Sequence, residues 1–396
     1  MAIKRNVMMK LDGASYDDRA GGLPAALRAA LDAALEGNEL DAPQALAVAE
    51  ARGEELIAVA AVADRLRKQR VGDEVSYVVN CNINFTNICT IGCTFCCFGK
   101  SVNSPDTYWH SLETVADRAE EAWRKGATEV CVQGGLPPEL DGSYYAKLLQ
   151  AIKRRVPEIH IHAYSPMEVV YGVERTGMPL RDYLRMLREA GLGSLPGTAA
   201  EILDDRVRQV ISRAKLTRAQ WIEVITTAHE LGIPTTSTMM YGHVESPADW
   251  VRHLLLLREI QKQTGGFTEF VPLGFIHERT ALFRTGLARP GATVEEDVAV
   301  HALSRILLNA TIPNIQISWV KLDWPISRLC LQAGANDCGG TLMGENISSA
   351  SGEVAATSAT PEQLQEFIFS AGRIPVERST TYRALKRIGK RCEVAV

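Results

Sequence analysis

The sequence predicts an α/β protein: a (β/α) barrel of the TIM type, with a helical extension before it and a helix after it. Three observations carry that reading. The chain has 396 residues, 46% apolar and 23% charged, which is the profile of a globular protein with material for a large core. From Val75 onward, β-type runs alternate with helical patterns, as repeated βα units around a parallel sheet require. Seven or eight such strands within about 270 residues suit a closed barrel better than an open doubly wound sheet.

Taken in order, residues 23–70 are rich in Ala, Leu, Arg and Glu and are broken at Gly37-Asn38, Asp41-Ala-Pro43 and Gly53, so two or three short helices are expected. Candidate strands follow at Ser76 to Asn84, Glu129 to Gln133, His160 to Tyr164, a weak one at Gly193 to Leu195, then Pro234 to Met239, Thr268 to Pro272 and Ile315 to Trp319. An eighth is expected within Gly334 to Asp337. Helix starts are marked by Thr217 with Gln220 and Thr293 with Glu296, which fit the capping box, and by Ser246-Pro247 and Thr360-Pro361, an N-cap followed by proline. After Thr217, the residues Trp221, Val224, Ile225 and Ala228 share one helix face, which is expected to pack on the sheet. A last helix from Thr360 to about Ala371 and a basic tail, Arg383 to Arg391, end the chain. The expected division is an extension over 1–70, a barrel over 71–345 and a helical segment over 346–396.

Charge and cysteine usage narrow the function. Lys plus Arg number 43 and Asp plus Glu 47, so the net charge of -4 gathers neither nucleic acid nor an anionic membrane. The longest uncharged apolar run, Leu56 to Ala63, is far short of the roughly 18 residues a membrane span needs. The N-terminus MAIKRNVMMKLDG has no signal-peptide apolar region, and nine cysteines, an odd number, argue against a disulfide framework. The expected compartment is the reducing cytoplasm, where clustered cysteines bind metal, catalyse or lie buried.

Five of the nine cysteines fall in the first βα connection: Cys81, then Cys89, Cys93, Cys96 and Cys97 in NICTIGCTFCCFGK. A non-catalytic structural zinc site is one reading, but zinc closes a tetrahedron with two paired ligand elements, and no second CxxC or HxxxH pair follows. Cys89, Cys93 and Cys96 form C-x3-C-x2-C, which resembles the signature of the radical S-adenosylmethionine (SAM) superfamily. Thiolates are the soft ligands that hold iron-sulfur clusters. The resemblance implies a 4Fe-4S cluster on these three cysteines, with SAM chelating the fourth iron and a single electron cleaving it to methionine and a 5'-deoxyadenosyl radical. Phe95 matches the aromatic that the superfamily places near the adenine. Adjacent side chains diverge, so Cys97, like Cys81, is expected to pack in the core.

Gln133-Gly134-Gly135 ends the second strand, where the superfamily places a glycine-rich segment against the SAM amino group; it is equally an ordinary βα turn. Glu201, in PGTAAEILDDRVR, either accepts hydrogen bonds from a ribose or ammonium or serves as an acidic charge at a helix start. His160 and His162 share a strand face in HIHAYSPMEV, either as satisfied core residues or, for His162, with Ser165 beyond it, as substrate contacts. Trp319, Lys321, Asp323 and Trp324 follow the seventh strand. Asn336 and Asp337 in NDCGG fit either a polar-group site at the end of the barrel or a turn. The sequence assigns no catalytic acid or base.

Together, SYVVNCNINFTNICTIGCTFCCF, VCVQGG, HIHAYSPMEV, PGTAAEILDDRVR and GANDCGGTLM resemble one branch of radical SAM enzymes: the two-part deazaflavin (FO) synthases and their relatives in the futalosine route to menaquinone. HAYSPMEV and GTAAEILDD are most similar to the tyrosine-using half of FO synthase. That likeness implies coupling of the 4-hydroxybenzyl group of L-tyrosine to 5-amino-6-(D-ribitylamino)uracil, a step toward coenzyme F-420. It also implies a reductant protein, a second radical SAM enzyme that closes the ring, and, from the single cysteine motif, a separate subunit. The alternative within the same chemistry is a futalosine-pathway enzyme, either the cyclase or aminofutalosine synthase. Two positions depart from the pattern: Cys97 stands where alanine is usual, and Gly344 where an acid is more common.

Overall fold

The computed structural model describes residues 11–354 and 356–389. Three helices open it, α1 (Ala25–Leu35), α2 (Ala42–Ala49) and α3 (Gly53–Val71). Asp41 and Gln44 form a capping box at the start of α2, and Gly72, at φ 67°, stops α3. This preface packs on the outer helices of the barrel. Arg258 donates through both terminal nitrogens to the Leu40 carbonyl, each at 3.1 Å, tying the α1–α2 connection to the barrel.

The first stave runs through β1 (Glu74–Val78) and β2 (Asn80–Asn84). There follow α4 (Leu112–Arg124), β3 (Glu129–Gln133), α5 (Tyr144–Arg155), β4 (His160–Ala163), α6 (Pro166–Thr176), α7 (Leu180–Glu189), α8 (Asp205–Ile211), α9 (Arg218–Glu230), β5 (Thr235–Tyr241), α10 (Pro247–Thr264) and β6 (Phe267–Gly274). After these come α11 (Val294–Leu308), α12 (Trp319–Gln332) and β7 (Asp337–Gly340). Parallel pairing runs round the ring, from β2 to β3 to β4, by His162 to Ser194, by Leu195 to Thr235 in β5, and on to β6. It continues from Phe270 to Ile315 and from Gln316 to Asp337, and β7 returns to β1. The eight staves therefore close into a barrel, with the helices outside.

Two staves are shorter than the sequence predicts. Only Ser194 and Leu195 bridge in the fourth, because Pro196 has no N–H to continue the ladder. In the seventh, Ile315 and Gln316 bridge, but the expected strand end at Trp319 is instead the start of α12, where Trp319 stacks on Trp324 and donates its indole N–H to the Gly340 carbonyl at 3.2 Å. The eighth, expected at Gly334 to Asp337, lies at Asp337–Gly340. Gly334 turns the chain at φ 100°, and Asn336 accepts from the Ile315 N–H at 2.9 Å, so the ladder begins one residue later.

Residues beyond 346 hold α13 (Pro361–Ser370), capped by Thr360 as expected, and also two strands, β8 (Ile374–Arg378) and β9 (Ala384–Arg387). β8 pairs in parallel with the first half of the first stave, Glu74 opposite Ile374, below the level at which β3 pairs with the second half. The start of the basic tail is thus strand β9, antiparallel to β8; residues 390–396, with Cys392, lie outside the described residues. β8 carries Arg378 into the floor of the barrel. Its guanidinium grips Asp337 through Nε at 2.6 Å and Nη2 at 2.9 Å and reaches Glu269 at 3.4 Å, while the Tyr382 hydroxyl donates to the same Glu269. Among the described residues no helix is long and apolar enough to cross a membrane.

Candidate active site

A cavity of about 440 Å³ opens at the C-terminal ends of the staves. The cysteine loop covers one side of it, held by backbone bonds: the Cys89 N–H donates to Lys100 O at 2.9 Å, the Cys96 N–H to Cys93 O at 3.1 Å, and the Leu282 N–H to Thr94 O at 2.9 Å. Cys89, Cys93 and Cys96 all line the cavity, and Cys96 and Cys89 lie close enough to Cys93 to act on its charge. Burial pushes the Cys93 thiol up to about 11, opposed by the Lys215 ammonium. Cys89, Cys93 and Cys96 are free and line the same cavity; among the described residues no three histidine, cysteine or acidic side chains gather tightly enough to hold a single metal ion, whereas a cubane spreads its three protein ligands over three irons.

Cys97, the extra cysteine of the loop, and Cys81, which lies in β2, are placed elsewhere. Cys97 is directed to Ser351, and Cys81 lines a separate recess of about 320 Å³ beside Arg118 and Lys125. Cys131, which reads only as a strand residue, does line the main cavity; Cys330 and Cys338 are buried away from it.

Gly134 and Gly135 line the cavity, and packing alone already requires them to lack side chains. A Cβ on Gly134 would lie 2.4 Å from the Phe85 ring, and one on Gly135 would lie 2.1 Å from the Ile88 carbonyl oxygen and 3.0 Å from Cys89 Cβ. The two glycines let β3 seat directly beneath the cysteine loop. Gln133 donates to the Thr198 hydroxyl at 2.8 Å. The Gly134 N–H donates to Glu168 at 3.0 Å, and Glu168 also accepts from the Ser165 N–H and hydroxyl, both at 2.7 Å, in the capping box that starts α6. Burial raises the Glu168 carboxyl to about 7, against these three donors. Sequence reasoning passed over Glu168, although Ser165 and Glu168 stand at capping-box spacing.

On the opposite side of the cysteine loop, Lys215 donates to Glu201 at 2.7 Å and stands 4.9 Å from the centre of the Phe95 ring. Burial works against both charges, yet each partner holds the other ionised: the Lys215 pKa is above its ordinary value and that of Glu201 below. Lys215 is a second residue that the sequence did not single out. Glu201 itself adopts φ 45°, in the left-handed region, which turns its carboxylate into the cavity.

His162 and Ser165 reach the cavity; Asn336 and Asp337 do not. The Ser194 hydroxyl joins His162 Nδ1 at 2.7 Å and His160 Nε2 at 2.8 Å, and burial lowers His162 to about 4, so it is a neutral ring at pH 7. Asn336 is spent on the barrel wall, accepting from Arg305 at 2.6 Å and from the Ile315 N–H. Asp337 is enclosed by Ser76, Gly339 and Arg378. The expected polar-group site at these two residues is thus a structural knot. The polar floor of the cavity comes instead from Asn80, Glu129, Glu269, Arg378 and Thr380.

Comparison with known proteins bears on this geometry. The model of the Radical SAM superfamily matches residues 83–257, and that of the CofH/MqnC C-terminal region matches residues 264–390. The 5-amino-6-(D-ribitylamino)uracil--L-tyrosine 4-hydroxyphenyl transferase of Methanothermobacter thermautotrophicus is 48% identical over 336 residues, covering 85% of this chain and 92% of that protein. The chain belongs to that radical SAM family. This membership sets aside the zinc reading of the cysteines. The radical SAM chain is also 54% identical over 344 residues to the FO synthase of Nocardia farcinica, covering 87% of this chain and 40% of that protein, and 50% identical over 363 residues to that of Streptomyces avermitilis, covering 92% and 42%. It spans about two fifths of the length of these FO synthases. Methylornithine synthase shares the fold at a TM-score of 0.69 and 18% identity, over 87% of this chain and 97% of that one. So does the FeFe-hydrogenase maturase HydG of Carboxydothermus hydrogenoformans, at 0.70 and 14%, over 96% and 85%.

Proposed function

We propose that this chain couples the 4-hydroxybenzyl group of L-tyrosine to 5-amino-6-(D-ribitylamino)uracil, on the way to a deazaflavin. The likeness to the Methanothermobacter transferase, which extends over 92% of that protein, carries the reading. Cys89, Cys93 and Cys96 would hold the 4Fe-4S cluster. When bound, the cluster and SAM supply a 5'-deoxyadenosyl radical that takes hydrogen from the amino acid.

The remaining work falls to this chain's own residues. Phe95, Gln133, Gly134, Gly135 and Glu201 form the wall assigned to SAM, with Glu168 bracing the Gly134 backbone and Lys215 fixing Glu201. His162 and Ser165 are assigned to substrate. The floor, with Asn80, Glu129, Arg378 and Thr380, offers donors and acceptors in the density that a ribityl chain requires. The barrel and its loops exclude water, which protects a carbon radical from side reactions. A reductant protein supplies the electron, and a second radical SAM activity closes the ring. A cytoplasmic site is in keeping with the oxygen-sensitive cluster.

The test is an anaerobic assay of the reconstituted protein with reductant, SAM, L-tyrosine and the ribitylaminouracil, followed by mass spectrometry. Deoxyadenosine together with the coupled product is expected. Deoxyadenosine and product only with futalosine-type substrates would move the chain to the menaquinone branch.

A further inference from the structure

Two charged side chains on the cavity wall take no part in the arrangement above. Lys321 lies in the first turn of α12, beyond the seventh stave, and Glu345 lies beyond the eighth. Among the described residues, no hydrogen bond and no ion pair within 4.0 Å reaches the Lys321 ammonium. Glu345 Oε1 accepts from the Ser348 N–H at 2.7 Å, but its Oε2 is fully buried and has no partner. A buried carboxylate oxygen without a donor is costly, and so is a lysine withdrawn from water without an acceptor. Other cavity charges are satisfied: Glu201 by Lys215, Glu168 by Gly134 and Ser165, Arg378 by Asp337.

The two charges are near enough to interact. Glu345 is the foremost group supporting the Lys321 charge against burial, followed by Glu201 and Cys96. Lys321 and Glu345 both line the same cavity and no ion pair within 4.0 Å joins them, so a ligand carrying opposite charges on neighbouring atoms can enter between the two groups. Val320, Leu342 and Ile347 line the cavity beside them and offer an apolar wall for such a ligand's side chain. The nearness to Cys96 brings whatever is held there close to the cluster loop.

We propose that Lys321 and Glu345 form a zwitterion clamp for a free α-amino acid, in which the Lys321 ammonium receives the carboxylate and Glu345 Oε2 receives the ammonium. The inference rests on the proposed function only for naming L-tyrosine as the occupant. Because a charge-assisted pair inside a cavity is the strong kind of hydrogen bond, removal of either partner costs about 10- to 100-fold in affinity.

The experiment measures equilibrium binding to the anaerobically reconstituted protein in the presence of SAM. The probes are L-tyrosine, tyramine, which lacks the carboxylate, and 3-(4-hydroxyphenyl)propionate, which lacks the ammonium. Lys321→Met is expected to lose at least tenfold for L-tyrosine and nothing for tyramine. Glu345→Gln is expected to lose at least tenfold for L-tyrosine and nothing for the propionate, and Lys321→Arg to recover part of the loss. Uncoupled deoxyadenosine formation, which needs cluster and SAM but not the amino acid, serves as the folding control and stays within twofold of the parent.

Unchanged L-tyrosine affinity in Lys321→Met, or a loss of SAM affinity in place of L-tyrosine affinity, overturns the clamp and leaves the proposed function standing. The same charge-matched pattern with another amino acid, and none with L-tyrosine, upholds the clamp and overturns the proposed substrate. A parent protein that binds no amino acid overturns both.

Discussion

At the scale of single residues, the cluster loop depends on what lies beneath it. A Cβ at position 135 would overlap the Ile88 carbonyl, which is backbone and cannot rotate away, and would press on Cys89 Cβ. Gly135→Ala is therefore expected to displace Cys89, the first proposed cluster ligand. Iron bound after reconstitution should fall below about half the parent value, with SAM cleavage lost in proportion, because one misplaced thiolate leaves the cubane with two protein ligands. Parental iron content in this variant would show that the loop yields freely. Glu168 offers a test by pH. Burial raises its carboxyl to about 7 from an ordinary value of 4.5, so the folded protein holds a proton that the unfolded chain has released between those limits. Its stabilising contribution is whole below pH 4.5 and is lost as the pH rises through about 7, a change of about 3 kcal/mol at about 1.4 kcal/mol per pH unit. Glu168→Gln removes that slope and carries a constant penalty of about 1–3 kcal/mol, since its amide NH₂ must face one of the backbone N–H groups that Glu168 now accepts from. Denaturant unfolding of the apoprotein at pH 5, 6, 7 and 8 should show the parent's advantage shrinking with pH. An advantage that is the same at all four would place the Glu168 carboxyl near its ordinary value.

At the scale of elements, helix starts were legible in the sequence and some strand bounds were not. Thr217 and Thr293, with Gln220 and Glu296 at capping-box spacing, and Ser246 and Thr360, each followed by proline, open helices where the sequence predicts, because these signals are satisfied within four residues. Strands at β3 and β4 were equally plain. The seventh and eighth staves were not, since their limits are set by Asn336 bonding to Ile315 and by Trp319 reaching Gly340, contacts between segments far apart in the chain. The same limit hid β8, whose five residues become a strand by pairing with the distant β1 and with β9, and with it the role of Arg378. Spacing alone singled out the three cysteines proposed as cluster ligands, and position after the seventh strand singled out Lys321; Lys215 and Glu168 acquire meaning only from their neighbours. β8 is expected to matter through Arg378. Arg378→Met leaves Asp337 and Glu269 buried without their cation and should cost about 3–5 kcal/mol of stability at neutral pH. Adding Asp337→Asn should recover part of this, measured by denaturant unfolding. A cost below about 1 kcal/mol for the single variant would mean that Ser76, Gly339 and Tyr382 already satisfy the two acids.

At the scale of the whole molecule, the two family matches meet between β5 and β6, yet the barrel does not divide there. The part ending near residue 262 supplies staves one to five and the three cysteines proposed as cluster ligands. The later part supplies β6, the bridge at Ile315 and Gln316, β7, and the floor strand β8. Cutting between them would leave β5 without β6 and the first stave without β7 and β8, exposing two long edges of unpaired N–H and C=O groups. It would also open the cavity along the side that carries Lys321, Glu345 and Arg378. Fragment 1–262 expressed alone is thus expected to aggregate, or to stay soluble without a cooperative unfolding transition, and to retain little iron after reconstitution. Co-expression with fragment 263–396 should give a soluble one-to-one complex that holds the cluster, because each half covers the other's open edges and the cut falls in the exposed last turn of α10. A cooperatively folded 1–262 that binds four irons by itself would show that the cysteine-bearing half carries its own closed core, and that the later residues are a cap on the barrel and not part of its wall.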